Sequence, residues 1–278
     1  MPKINRELDT DKQKIIDLYQ GGMTLDEVGK EYSVSHAAIN KRLKAWGQPT
    51  RSRKKYTVEA CAFDTLSPSS CYWLGYLAGD GAVHGGRSGT SYSVILASTD
   101  KEHIEKFRAF VGSNAPVAEK KSGWNSNGKQ IYFFRLNSAQ MGKTLIGYGL
   151  IPNKSLSMSI SSQELLSSKD FLRGIIDSDG CIHYKEGKGG SISIVTGSRV
   201  FSDQLTKMFQ LFWKITPHVY SIRKKYFGLS LWRKEEVMRV ASDLYSSVDP
   251  EISLDRKRGK AMTILNVWGQ KGWIRYGL

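Results

Sequence analysis

Up to Trp46 the apolar positions recur at helical spacing in three short runs, each bounded by polar turn residues. Thr10 with Gln13, and Thr24 with Glu27, have the form of a capping box, which predicts a helix starting at each Thr. Gly21-Gly22 closes the first run, and Ser33-Val34-Ser35 turns the chain between the second and third. The third run starts at Ser35 and carries Ile39, Leu43 and Trp46 on one face. His36, Asn40, Lys41 and Lys44 occupy the other. A polar face opposite a small core, entered through a tight turn, predicts a helix-turn-helix over residues 1–46 whose third helix suits a major groove. A plain three-helix bundle is the alternative reading.

Beyond residue 66 the patterning changes and then repeats. Residues 91–98 (SYSVILAS) and 191–198 (SISIVTGS) both alternate polar and apolar positions, as half-buried strands do. Each leads into an amphipathic helix, near 100–111 and 199–212. Each then gives two more strands, near 116–121 and 129–137 in one copy and near 216–223 and 226–232 in the other. A second helix follows, near 138–149 and 233–246. The expected domains are 1–46, a linker over 47–66, repeats over 67–165 and 166–262, and a tail over 263–278.

Each repeat opens on a compact apolar run that ends in an acid and a glycine. Residues 73–81 read WLGYLAGDG and residues 172–180 read LRGIIDSDG. Superposed, Gly75 meets Gly174, Asp80 meets Asp179, Gly81 meets Gly180 and His84 meets His183. A lone Asp-Gly is a common turn. The duplication changes its meaning, because Gly75, Gly79, Gly174 and Ser178 leave shallow faces on which two helices can pack closely. Asp80 and Asp179 would then emerge together, and two carboxylates that close call for a cation between them. Paired carboxylates hold Mg²⁺ against phosphate.

Charge points to the same class of partner. The 278 residues carry 41 Lys+Arg against 26 Asp+Glu, a formal net charge of +15. A chain this basic fits a polyanion, above all nucleic acid. The basic residues cluster: Arg51, Arg53, Lys54 and Lys55 follow Lys41 and Lys44 with no intervening acid. Such an arm tracks phosphates or enters a minor groove, unless it is a solvated linker. Cys61, Cys71 and Cys181 form no CxxC pair, which argues against zinc and suits a reducing compartment. The polar N-terminus lacks an apolar h-region, and no apolar run approaches the ~20 residues of a membrane span. The expectation is a cytoplasmic or organellar protein, neither secreted nor membrane-bound.

The two motifs resemble those of the LAGLIDADG family of homing endonucleases, in the single-chain form that carries both copies. The resemblance covers residues 67–262 and is specific at the Gly, the acid and the closing Gly of each motif. Trp73, Tyr76 and Ala78 depart from the family's usual letters, at packing positions. It implies an α+β fold: a pseudo-two-fold tandem αββαββα repeat, the saddle of that family, preceded here by the small all-α domain. It also implies site-specific double-strand cutting of a long asymmetric DNA target by a monomer. Asp80 and Asp179 would be catalytic and hold two or three Mg²⁺ ions, for which Mn²⁺ can substitute, at the position shared with Gly79 and Ser178. Lys154 and Lys257, late in each repeat, would polarise water or steady the charged transition state, or else contact phosphate.

Strand alternation then nominates groove-facing side chains, although a register error of one residue inverts each assignment. With Tyr92, Val94 and Leu96 inside, Ser91 and Ser93 face out, as do Ser191 and Ser193. Arg135 and Asn137 face out if Tyr132, Phe134 and Leu136 are inside. Ser221, Arg223 and Lys225 do so if Tyr220 and Ile222 are buried. His84 and His183 are read as strand or DNA-facing positions. Two rival functions use the same fold: a non-cutting DNA-binding regulator and an intron RNA maturase. Both acids are retained, which disfavours the first. The helix-turn-helix favours duplex DNA over RNA, whose major groove is too narrow for a helix.

Overall fold

The computed structural model describes residues 8–50, 56–85, 91–121, 130–186 and 189–270. The chain divides into two compact units, residues 1–55 and residues 56–278. In the first unit, helices α1 (Lys12–Gln20), α2 (Leu25–Glu31) and α3 (His36–Ala45) enclose a core of Ile15, Ile16, Tyr19, Val28, Ile39 and Leu43. The capping box at Thr24 forms: Glu27 N–H donates to Thr24 Oγ1 at 3.2 Å, and Thr24 N–H donates to Glu27 Oε2 at 2.7 Å. Ser35 caps α3 through Ala38 N–H. Thr10 does not start a helix. Residues 8–10 are already helical, and the Gln13 amide donates to Asp17 Oδ1 instead. The turn between α2 and α3 is tight because Ser33 is left-handed at φ 52. A Cβ at Gly29 would also stand 3.3 Å from His36 N, so α2 approaches the turn backbone to backbone.

The second unit contains the duplicated pattern. Its first copy runs α4 (Pro68–Asp80), β1 (Gly81–Gly85), β2 (Tyr92–Ser98), α5 (Lys101–Phe110), β3 (Ala118–Lys121), β4 (Gln130–Asn137) and α6 (Ala139–Gly147). After the one-turn α7 (Gln163–Leu166), the second copy runs α8 (Lys169–Ser178), β5 (Gly180–Lys185), β6 (Gly189–Thr196), α9 (Arg199–Trp213), β7 (His218–Ile222), β8 (Tyr226–Leu231) and α10 (Lys234–Tyr245). A final helix, α11, spans Asp255–Gln270 and passes through the boundary expected at residue 262. The two sheets are antiparallel and have the same order, β1-β2-β4-β3 and β5-β6-β8-β7. One face of each is buried under helices: Val94, Leu96, Phe134 and Leu136 in the first, Ile192, Ile194, Leu229 and Leu231 in the second. The expected linker is also shorter at its far end. Phe63 is fully buried in the second unit's core, and Glu59 N–H donates to Val111 O at 2.8 Å.

Among the described residues, helices α4 and α8 make the most extensive contact between two elements. α4 is apolar nearly all round, as a helix buried on every side must be, whereas α8 also buries Arg173 and Asp177. Their approach is set by glycine: a Cβ at Gly174 would lie 3.0 Å from Gly75 C, and one at Gly75 would lie 3.1 Å from Gly174 Cα. Nothing larger than hydrogen fits between the two backbones there.

Candidate metal and nucleic acid site

Because α4 and α8 cross at their glycines, their C-termini stay together. Asp80 is the last residue of α4 and Asp179 the C-cap of α8. A Cβ at Gly79 would stand 3.0 Å from Asp179 Cγ, so the missing side chain at 79 is what admits the second acid. Both acids keep solvent-exposed surface. Partial desolvation, and then the charge of Asp80, push the Asp179 carboxyl up to about 6; Lys154 and Lys257 oppose the shift. Asp80 is raised as well by desolvation, against Lys257, the Tyr76 hydroxyl, Arg256 and Lys154. Solvent at the open mouth screens much of this repulsion.

Among the described residues no three His, Cys, Asp or Glu side chains gather into a metal cage. Two carboxylates facing open solvent nonetheless fit Mg²⁺, which keeps several waters and takes one or two carboxylates together with substrate phosphate. The Ser178 hydroxyl donates back to Gly174 O at 3.0 Å and Ile175 O at 3.2 Å, which uses its hydrogen but not its oxygen lone pairs. Gly79 can offer only its main chain.

The two lysines lie beneath the acids rather than beside open solvent. Lys257, 3% exposed, donates to the carbonyls of Ile176 and Asp177 at 2.6 Å, Gly180 at 2.7 Å and Ser178 at 3.2 Å. Lys154 is buried too and donates to Gly81 O. Each ammonium thus caps the C-terminus of a motif helix, where the helix dipole favours a cation. Burial lowers both pKa values, that of Lys257 to about 8. Both lysines are buried rather than on a basic surface; their side-chain hydrogen bonds are to backbone carbonyls, and their charges act on Asp80 and Asp179.

Asp177 is a site residue that sequence reasoning missed. It is fully buried, and its carboxylate accepts from Tyr245 Oη at 2.8 Å, Tyr72 Oη at 2.9 Å and Leu254 N–H at 2.8 Å. Since the Tyr72 hydroxyl donates to Asp177, its oxygen accepts from His103 Nε2–H at 3.0 Å. Desolvation keeps His103 neutral, with its pKa lowered to about 3. Two helices of the first repeat, two of the second and the segment entering α11 are thereby tied to one carboxylate just behind the acids. The available signal was an acid on the buried side of the motif helix, at the position where the first copy has Ala78.

The nominated strand residues divide. Arg135 and Asn137 are exposed on the face of the first sheet opposite the helices. Ser93 shares that face but is nearly buried beneath them. Ser91 is exposed just ahead of β2, and Ser191 and Ser193 are half-buried on the open face of the second sheet. His84 and His183 pair with Ser93 and Ser191 and lie on the same open faces. On β7 the expected register is inverted. Tyr220 pairs with Gly228 and Ser221 with Phe227, so Tyr220 is on the open face and Ser221 on the face of Leu229 and Ile194. The reason is steric: Tyr220 lies over the glycine, and a Cβ at Gly228 would be 2.8 Å from its ring. Arg223 and Lys225 are exposed in the β7–β8 hairpin loop, where Arg223 and Lys224 both have positive φ. In the first unit His36, Lys41 and Lys44 are exposed and Asn40 half-exposed on α3. Arg51, Arg53, Lys54 and Lys55 lie outside the described residues.

Paired αββαββα units whose first helices cross at glycines and end in acids define the LAGLIDADG fold. Residues 167–243 match the LAGLIDADG-like domain family. The homing endonuclease I-WcaI bound to its DNA recognition sequence superposes with a TM-score of 0.51 at 14% identity, covering 78% of this chain and 96% of that one. The LAGLIDADG meganuclease I-AabMI bound to uncleaved DNA gives 0.47 at 10% identity, over 74% and 93% of the two chains. I-SmaMI bound to uncleaved DNA in the presence of calcium ions gives 0.44 at 12% identity, over 74% and 93%. A comparison with curated protein sequences finds no match. The chain has the LAGLIDADG fold, and its second repeat matches the LAGLIDADG-like domain family. No helix among the described residues is long and apolar enough to cross a membrane.

Proposed function

We propose that this protein is a site-specific, metal-dependent DNA endonuclease that acts as a monomer on a long asymmetric duplex target. The observation that carries the reading is the delivery of Asp80 and Asp179 to one solvent-open point by two helices in backbone contact. Asp80 and Asp179 are the residues to hold Mg²⁺. When bound, a divalent cation lowers the pKa of a water and neutralises charge on a scissile phosphodiester. The chain's own groups position that chemistry. Lys154 and Lys257 fix the helix ends that carry the acids, and Asp177 fixes the helices to each other. The open sheet faces read base edges, Arg135 and Asn137 being suited to guanine and adenine. The first unit adds a second reader through His36, Asn40, Lys41 and Lys44, with Arg51, Arg53, Lys54 and Lys55 along the phosphates.

The test is capture of sequences from a randomised duplex library with the full-length protein, followed by incubation of the enriched duplexes with Mg²⁺ or with chelator. Double-strand cutting that requires Mg²⁺ and disappears in Asp80→Asn supports the proposal. Tight binding without cutting would instead favour a regulator, and preferential capture of RNA would favour a maturase.

A further inference from the structure

On the open face of the first sheet, Ser93 links the two side chains best suited to base edges. Its hydroxyl donates to Asn137 Oδ1 at 2.5 Å and accepts from Arg135 Nη2 at 2.9 Å and Nε at 3.3 Å. A hydroxyl has one donor and two acceptor sites, so this arrangement uses Ser93 completely. A guanidinium has five N–H donors in a planar fork. Two reach Ser93, and two of the remaining three form the Nη1–Nη2 end of the fork. Among the described residues no carboxylate pairs with Arg135. Its fork is therefore held in one pose yet left unspent, the condition for low-cost bidentate recognition.

The second sheet provides an internal comparison: His84 pairs with Ser93 as its counterpart His183 pairs with Ser191, so Ser191 stands where Ser93 does and Ser193 where Ile95 does. Ile95 pairs with Arg135, and Ser193 pairs with Ser230. The counterpart of Arg135 is therefore Ser230, which pairs with His218 on the neighbouring strand. Tyr220 stacks on His218 with centroids 5.7 Å apart, and His218 meets Trp232 edge to face at 5.0 Å. One sheet presents a fixed hydrogen-bonding fork where the other presents a short hydroxyl beside an aromatic cluster.

We propose that Arg135, with Asn137 beside it, reads a guanine next to an adenine in one half-site, and that Ser93 is the positioning residue that makes this reading specific. The equivalent place in the other half-site meets Ser230, which has no such fork, and has no guanine requirement, so this difference sets which way round the protein lies on its target. The inference rests on the DNA-reading function proposed above.

The experiment is the same duplex-library selection, run with wild type, Arg135→Lys, Ser93→Ala and Ser93→Thr, all full length. Wild type is expected to enrich one motif column for guanine by roughly tenfold or more, the selectivity of a good bidentate pair. Arg135→Lys should flatten that column and leave the others, since an ammonium lacks the fork. Ser93→Ala should weaken guanine preference in that column alone at unchanged melting temperature, and Ser93→Thr, which keeps the hydroxyl, should restore it. A wild-type motif that survives intact in Arg135→Lys would overturn this inference and leave the endonuclease reading standing. A fall in all columns together for Ser93→Ala would show a merely structural serine and overturn its positioning role. Failure of wild type to enrich any duplex sequence would overturn both readings.

Discussion

Replacing Asp177 by Ala strikes the point where the two repeats are joined. Three buried donors lose their acceptor: the hydroxyls of Tyr72 and Tyr245 and the Leu254 N–H. Each orphaned donor costs about 1–3 kcal/mol. Part of the sum is offset, because the buried carboxylate no longer has to be desolvated. The net loss is then about 3–5 kcal/mol, the range for breaking one side of a buried charged network. In a unit of this size each kcal/mol shifts Tm by about 2–4 °C, so Asp177→Ala should melt about 6–20 °C below wild type. Asp177→Asn keeps the shape and one carbonyl oxygen, and Tyr245 can turn its hydroxyl to accept from the new amide; its loss should be about 1–2 kcal/mol. Burial holds the Asp177 carboxyl above the usual carboxylate range despite its three donors. A raised folded-state pKa means that its contribution to stability is complete at low pH and is lost as pH rises through that pKa. Asp177→Asn should lack that step. The assay is thermal melting across pH. Should Asp177→Ala melt within about 2 °C of wild type, the carboxylate does not join the repeats and this reasoning fails.

Asp80→Asn and Asp179→Asn should each abolish double-strand cutting while sparing sequence-specific binding, read by cleavage and mobility shift on one duplex; full cutting by either would remove the two-acid mechanism. Gly174→Leu or Gly75→Leu should cost more than the about 1–3 kcal/mol of ordinary overpacking, because the added atoms meet backbone, and an unchanged melting temperature would be incompatible with the helix crossing described. The Asp179 carboxyl, raised to about 6, favours the metal-free fold at low pH and loses that contribution as pH rises through about 6. Mg²⁺ should accordingly raise Tm at about pH 8 and do little at about pH 5; equal shifts would place the ion elsewhere. Deleting residues 1–55 should leave a folded nuclease with a shorter footprint and weaker, less salt-sensitive binding, whereas identical protection by both forms would mean the first unit reads no DNA.

The features legible in the sequence were those whose physics is local. The capping box at Thr24 needs only residues three apart, and the duplicated Gly, Asp and Gly are compositional signals that survive translation along the chain. Alternation placed Arg135 and Asn137 on the open face because Phe134 and Leu136 are unambiguously apolar. It failed on β7, where Val219 and Tyr220 are adjacent and both able to be buried; only the glycine across the strand decides between them. The burial of the lysines was hidden for a similar reason. A basic run such as residues 256–260 reads as surface charge until the C-terminus of a distant helix is known to lie beneath it. The Asp177 partners come from Tyr72, Tyr245 and Leu254, three separate stretches of chain that no spacing rule connects.

The joint at Asp177 is made of unlike halves, and that restricts how such a protein can be taken apart or recombined. The acid belongs to the second motif, where the first has Ala78; the hydroxyl it takes from the first repeat belongs to Tyr72, where the second has Phe171. A symmetrical pair of first repeats would have the tyrosine without the acid, and a pair of second repeats the acid without that tyrosine. Neither half can serve as its own partner. Chimaeras that exchange one repeat for a foreign one must carry Tyr72, Asp177 and Tyr245 together, even though all three are fully buried.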